Sequence, residues 1–364
     1  MTTYIERMMA SPQGGFPGRI AATAPHANHT PLDILAAGAD AVAAAFGVQN
    51  STPHPLADEL STAPLSRLAF YAGLAIRPQQ PHESDRTVMA RGMASSDYAA
   101  MLASASTTLA NRRFTAVAEH RAFCAEIECR DFRPEQIATT DVDGELAEVS
   151  ELQPLAAGRV IVGNGATAQL RTFARILRAK RELIINDNAG MLADAAQALG
   201  TAGARTEARE VYAALESNPT LDDGAVVFDA SHNNVIASAF DATALGQAMA
   251  ALRTMVLIGG NQADLSAAHL VVAADLELAA RKLIHESGLQ ITVTASGRLA
   301  TGRWYLLPAP EAAPTVGVLK LKGASNPILV ESWQDEFAFD GSVMRARCDT
   351  GAVLVARTLI RGGV

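Results

Sequence analysis

Between residues 189 and 217 the apolar positions recur near every third or fourth residue. Leu192, Ala195, Ala196, Leu199, Ala208, Val211, Tyr212 and Leu215 mark one face. This spacing predicts one continuous helix over Ala189–Ser217, roughly 40 Å long at 1.5 Å per residue, whereas helices of globular proteins are commonly much shorter. Asp187 or Asn188 can cap its start by accepting the first free backbone N–H groups. Pro219 ends it and biases Asn218 away from helical geometry. Gly200 and Gly203 each cost roughly 1 kcal/mol relative to alanine. They read as tolerated helix glycines in preference to points where another backbone comes close. A helix of this length with compact flanks suits a spine better than a catalytic pocket.

Around the spine the patterning alternates between helical and strand periods. Helices are predicted over Thr30–Phe46 (Thr30 as cap, Pro31 as first residue), Leu65–Leu74, Tyr98–Ala118, Thr243–Leu252 and Asp275–His285, the last opened by an Asp cap. The turn-rich stretch Arg77–Ser84 reads as a linker. Strands are predicted over Ala125–Arg130, Ile137–Val142, Ala166–Ile185, Met255–Ile258, His269–Val272, Leu289–Ala295, Trp304–Leu307, Val316–Lys322 and Ile328–Glu331. Glu336–Leu359 alternates and turns at Asp340-Gly341, and a second Asp-Gly turn falls at Asp223-Gly224. The strands at 137 and 166 flank a Gly- and Pro-containing excursion, which together read as a projecting hairpin. The fold class is α+β.

Composition narrows the function classes. With 364 residues, 49% hydrophobic and 19% charged, the chain is a folded protein of more than one domain. Aromatic residues make up only 5%, so deep aromatic pockets are not expected. The net charge of −8 and the lack of a basic stripe argue against a sequence-specific nucleic-acid reader. Lys180, Lys282, Lys320 and Lys322 are the only lysines, so arginine carries the positive charge. Cys124, Cys129 and Cys348 are odd in number and lack metal-ligand spacing; they read as reduced and structural. No apolar run reaches the roughly 20 residues of a membrane span, and the N-terminus has no secretory pattern. These features imply a cytoplasmic, non-membrane setting.

Few residues suggest chemistry. Asp229, Ser231 and His232 have the types of a hydrolytic triad, but residues this close in sequence rarely meet in triad geometry, and no G-x-S-x-G elbow is present. They read as a polar loop at a strand end, and a serine hydrolase is the weaker alternative. Gly163-Asn164-Gly165 and Gly259-Gly260-Asn261 complete neither a phosphate loop nor a dinucleotide fingerprint and read as turns. His26, His29 and His54 lack further ligands at metal spacing. No catalytic residue, cofactor or metal is expected. A charge pattern is more suggestive. Asp143, Glu145, Glu148 and Glu151 lie in the excursion without an intervening basic residue, and Arg171, Arg175 and Arg178 follow in the next strand. In an isolated domain this reads as a solvated acidic loop next to a solvated basic strand; in an assembly the acidic loop of one subunit can lie across the basic strand of its neighbour, where a network of exposed pairs sets register.

The order of these features resembles a family. The strand entering Ile184-Ile185-Asn186-Asp187, the spine helix, Asn218-Pro219, Asp223-Gly224 and Ser231-His232-Asn233-Asn234 come in sequence. The stretch from Ser296 to Pro310 and the ending from Phe337 to Ala352 complete the series. From about residue 90 onward the chain is similar to the major capsid proteins of tailed bacteriophages with the Hong Kong 97-type fold. Within them it looks most like the Mu-like major head subunit and protease–capsid fusion branch.

The resemblance implies an N-terminal arm or scaffold-like segment (1–90), an N-terminal helix and lead-in strand (91–136) and an extended-loop hairpin (137–186). It further implies a peripheral domain holding the spine (187–240 and 332–364) and an axial domain (241–331). It implies self-assembly into pentamers and hexamers of an icosahedral shell around double-stranded DNA held non-specifically, with scaffold, portal and decoration proteins as partners. An encapsulin-like compartment is the alternative of the same fold. Two departures stand out. No lysine lies between Asp143 and Gly165, so the Lys–Asn crosslink of some members has no donor there. Residues 1–90 are too few for the protease that precedes the capsid part in fusion relatives.

Overall fold

The computed structural model describes residues 37–38, 40–41, 44, 54–55, 65–77, 79–93, 95–144, 158–180, 189–221, 224–334 and 341–363. Its helices are α1 (Leu65–Ile76), α2 (Asp85–Met93), α3 (Ser96–Val117), α4 (Ala189–Ser217), α5 (Ala242–Thr254) and α6 (Glu277–Ser287). The strands are β1 (Cys124–Cys129), β2 (Glu135–Val142), β3 (Val160–Ala168), β4 (Arg171–Lys180), β5 (Val235–Ile236), β6 (Ala267–Ala273) and β7 (Thr292–Ser296). They continue with β8 (Trp304–Pro308), β9 (Val316–Leu321), β10 (Leu329–Gln334), β11 (Gly341–Thr350), β12 (Ala352–Leu354) and β13 (Ile360–Gly362). This is the α+β composition that the patterning predicts. The expected 30–46 helix lies mostly outside the described residues; within it Ala37, Gly38, Asp40, Ala41 and Ala44 are helical. The corner at 186–188, Asp223 and Asp340 lie outside them too.

The chain forms two compact units: one within Met1–Val117, Phe173–Ala204 and Asn326–Cys348, the other within Ala118–Thr172, Arg205–Ser325 and Asp349–Val364.

In the first unit, α3 is tied to β10 by two side chains that mimic a strand. The Thr107 hydroxyl accepts from Val330 N at 3.0 Å and donates to Val330 O at 3.2 Å. The Asn111 amide accepts from Ile328 N at 3.0 Å and donates to Ile328 O at 2.8 Å. Buried groups at a strand edge are thereby satisfied, as burial demands. The N-terminal half of α4 belongs to this unit, and one of its glycines corrects the sequence expectation. A Cβ on Gly200 would stand 2.2 Å from Ala110 O, and one on Gly203 would stand 2.3 Å from Ile328 Cδ1. Gly200 thus marks the close approach of another backbone, whereas Gly203 meets only the Ile328 and Phe114 side chains. Helix α2 was not expected; Ser84 starts it, its hydroxyl accepting from Thr87 N at 3.3 Å.

In the second unit, a five-stranded sheet runs in the order β5-β13-β8-β6-β7. Strand side chains alternate between faces, which explains why all of β8 is buried. Tyr305 and Leu307 join Val211, Tyr212 and Leu215 of α4 in one core. Trp304 and Leu306 face Leu245, Leu252 and Ala280 of α5 and α6 in another. A three-stranded sheet, β1-β9-β12, adds to the first core. Asp241 caps α5 by accepting from Ala244 N at 2.6 Å. Asp275 does not cap α6 as expected. It lies in the preceding 3₁₀ turn, and its carboxylate holds the Gly302 N–H at 3.0 Å.

Three strand expectations also change. The single strand expected over 166–185 is divided as far as residue 180, and 181–185 lie outside the described residues: β3 starts at Val160 and pairs with β2, and β4 joins the sheet β10-β11-β4. The break at Gln169-Leu170 buries Leu170 without any turn-type residue. Gly163-Asn164-Gly165 is not a turn. It lies within β3, opposite a bulge between Gln136 and Ala138, where a Cβ on Gly165 would stand 1.9 Å from Ile137 O. Met255–Ile258 forms only a bridge, Val256 with Gln262.

Candidate functional site

The hairpin β2/β3 pairs Val142 with Val160 and Thr140 with Val162. These four share one face, and its valines are open to solvent: Val160 is 70% exposed, Val162 59% and Val142 52%. The loop end of the hairpin's ladder is held by the Gly259-Gly260-Asn261 turn, which is a turn as expected. Leu257 N donates to Asn261 O at 2.9 Å, and Gly260 has a φ of 83°. Gly259 N donates to Asp141 Oδ2 at 2.8 Å, and the Asn261 amide donates to Val142 O at 2.9 Å. A Cβ on Gly259 would stand 2.6 Å from both Asp141 Oδ2 and Val142 O, so only glycine admits this clamp.

A cleft of about 400 Å³ opens beside the clamp, with Asp141 and Arg357 as its charged lining groups. Asp141 is spent on backbone: its Oδ1 accepts from Val142 N at 2.8 Å while Oδ2 holds Gly259. A carboxylate so engaged is a structural tie and not a free general base.

A second polar centre lies under the spine. Glu207 is buried in the apolar face of α4. Its Oε1 meets His120 Nε2 at 2.8 Å and accepts from Arg121 Nε at 2.6 Å. Its Oε2 accepts from Arg121 Nη2 at 2.8 Å and from the Thr350 hydroxyl at 3.3 Å. Burial pushes the Glu207 carboxyl up, but the hydrogen bonds and charges of Arg121 and His120 outweigh it and hold the group below the ordinary carboxylate range. Burial and the nearby Glu207 push the Cys124 thiol far up, so it is no thiolate nucleophile. This node escaped the sequence reading, although a signal existed. Glu207 lies four residues before Val211, inside the apolar stripe, and a carboxylate at such a position needs a partner.

The charged residues singled out from sequence fall as follows. Asp143 is exposed at the hairpin end, its N–H donating to Arg159 O at 2.9 Å. Glu145, Glu148 and Glu151 lie outside the described residues. Arg171, Arg175 and Arg178 are all exposed on β4, and Arg171 lies 3.8 Å from Glu210.

Ser231 and His232 form a local turn. Asp229 Oδ1 accepts from both the N–H (2.8 Å) and the hydroxyl (2.7 Å) of Ser231, capping a short 3₁₀ helix, while His232 Nδ1 lies 3.1 Å from Val227 O. The Ser231 hydroxyl points to the carboxylate and the imidazole to the backbone, so the three do not form a relay. The hydrogen bonds from Ser231 hold the Asp229 carboxyl below its usual range. No helix among the described residues is long and apolar enough to cross a membrane.

Several solved structures are similar to this chain. The capsid of cyanophage P-SCSP1u is 11% identical, covering 67% of this chain and 86% of its own, with a TM-score of 0.44. The capsid of Myoviridae phage XM1 is 11% identical, covering 68% and 92%, with a TM-score of 0.41. The holo-SrpI encapsulin complex of Synechococcus elongatus PCC 7942 is 10% identical, covering 69% and 86%, with a TM-score of 0.43. No curated protein matches the sequence. A family model described as phage capsid protein matches residues 165–361, which is more than half of the 364 residues. The stretch includes the spine helix, the Glu207 position, the clamp turn and the five-stranded sheet, and on it the chain belongs to the phage capsid protein family.

Proposed function

We propose that this capsid protein is the major head subunit of a tailed bacteriophage with the Hong Kong 97-type fold, close to the Mu-like and protease–capsid fusion branch. Copies join as pentamers and hexamers of an icosahedral shell around double-stranded DNA. Its role is geometric and not catalytic.

The observation that carries this reading is the β2/β3 hairpin, clamped at the loop end of its ladder and apolar on an open face. Three solvent-facing valines in register form a patch that a monomer gains nothing by keeping. Covering them contributes roughly 1–2 kcal/mol each. In the shell a neighbouring subunit covers this face. The acidic run Asp143, Glu145, Glu148 and Glu151, which follows β2 in the sequence, pairs in this reading with Arg171, Arg175 and Arg178 of that neighbour. Each exposed pair is worth about 0–1 kcal/mol, so the run sets register more than affinity.

The division into arm (1–90), lead-in helix and strand (91–136), extended loop (137–186), peripheral domain (187–240 and 332–364) and axial domain (241–331) belongs to this reading. So do scaffold, portal and decoration partners, and a virion location after assembly in the host cytoplasm. Deleting residues 144–157 leaves a folded chain that fails to close shells by electron microscopy. Normal shells from that deletion would sink the role given to the loop.

A further inference from the structure

Beyond assembly, one cluster in the second unit is built for a ligand. Arg361 pairs with Tyr305 across β13 and β8, and Arg303 precedes β8 with the same facing as Tyr305. Both arginines therefore lie on the sheet face that packs against α4. There the last turn of α4 supplies Glu216, and the Arg361 guanidinium stands 4.7 Å from the centre of the Phe228 ring. A carboxylate in the last turn of a helix faces the negative end of the macrodipole, so it requires cations.

The cations exceed what this carboxylate can use. Glu216 Oε1 lies 3.9 Å from Arg303 Nε, beyond hydrogen-bond reach. Arg303 Nε, Arg303 Nη1, Arg361 Nε and Glu216 Oε1 are all buried without a hydrogen-bond partner. Among the described residues the cluster thus sets two guanidinium groups against one carboxylate, and Arg303 Nε, Arg303 Nη1 and Arg361 Nε meet no acceptor. Burial lowers the proton affinity of Arg361, and the charge of Arg303 lowers it further, which is the mark of two cations held together. The cluster still reaches solvent, since the side chains of Arg303 and Glu216 are 18% and 30% exposed.

We propose that Arg303 and Arg361 form a binding site for a phosphate-class oxyanion, both guanidinium forks donating to one phosphoryl group. A second carboxylate suits the place less well. It offers two oxygens in one plane, whereas two forks from neighbouring strands are best met by a tetrahedral group with three or four acceptors. Binding neutralises the charge that the two guanidinium groups carry in excess of Glu216.

The test is isothermal titration calorimetry of the full-length chain with inorganic phosphate in an amine buffer, against sodium chloride at equal ionic strength. Phosphate should bind saturably. Arg303→Gln and Arg361→Lys should each weaken binding roughly 10- to 100-fold, the loss expected for charge-assisted hydrogen bonds. Circular dichroism confirms that each variant is folded, and Arg361→Lys retains the charge over Phe228. Adding a short DNA duplex separates the sources: competition assigns a phosphodiester, and no competition assigns free phosphate. Heats no larger than those of chloride, or equal binding by wild type and Arg303→Gln, would overturn the site.

Discussion

Replacing Glu207 with glutamine probes the centre under the spine. The side chain keeps its shape but loses its charge, and its NH₂ group must face the donors that Glu207 now accepts. Three of the four contacts are 2.8 Å or shorter, and two come from one guanidinium in a forked arrangement. Each hydrogen bond to a charged group contributes about 1.5–3 kcal/mol, and breaking a buried pair costs about 3–5 kcal/mol. Arg121 is 31% exposed and recovers part of the loss through water and Glu126. The net expectation at pH 7 is about 2–3 kcal/mol of destabilisation. At roughly 2–4 °C per kcal/mol for a unit of this size, the midpoint falls by about 4–12 °C. The pH dependence follows from the sign of the shift. The folded carboxyl is held below its unfolded value, so its stabilisation is complete above the ordinary carboxylate range and disappears as pH falls through the folded value. Wild type and variant should therefore converge in acid. Thermal unfolding followed by circular dichroism at pH 7 and at stepwise lower pH reads both effects. A midpoint at pH 7 within about 1 °C of wild type, or a gap that widens in acid, would refute the reasoning.

Four further substitutions test the rest of the architecture. Gly259→Ala drives a Cβ into Asp141 and Val142 and should release the hairpin, seen as faster hydrogen exchange across residues 135–142 with the remaining protection unchanged. Gly200→Ala gains roughly 1 kcal/mol of helix propensity but meets Ala110 O at 2.2 Å, so it should destabilise overall. Gly246→Ala, in α5 with nothing within 4 Å, should instead stabilise by roughly 0.5–1 kcal/mol in chemical denaturation. Asn218→Ala removes the amide that accepts from Phe228 N at 2.7 Å and forces alanine to a φ of 44°; it should cost about 1–2 kcal/mol, with Asn218→Gly recovering the backbone part.

The spine was legible to the residue, because 29 positions of helical period end in Asn-Pro and few tertiary contacts can override so long a signal. Its conformation at Asn218 was not, since the bias before proline favours extended backbone while the amide bonds to Phe228 select the left-handed region. The hairpin was visible as two strands around an acidic excursion. The start of its second strand was hidden by Gly163-Asn164-Gly165, where composition says turn and a bulged partner strand needs the space. The β3/β4 division has no local mark at all; β4 leaves because another sheet offers it a partner. The Ser-His pair resolved correctly as a loop from spacing alone. Glu207 and the Arg303–Arg361 cluster join residues that are distant in sequence, and no local pattern brings those together.

The central claim is that copies of this chain close into a shell. Electron microscopy of the purified full-length protein, alone and with a scaffold partner, tests it most directly. The account predicts closed icosahedral particles built of pentamers and hexamers, with double-stranded DNA as the contents of particles from infected cells. Monomers under every condition would contradict it, and closed particles carrying enzyme cargo in place of DNA would transfer the fold to an encapsulin-like compartment.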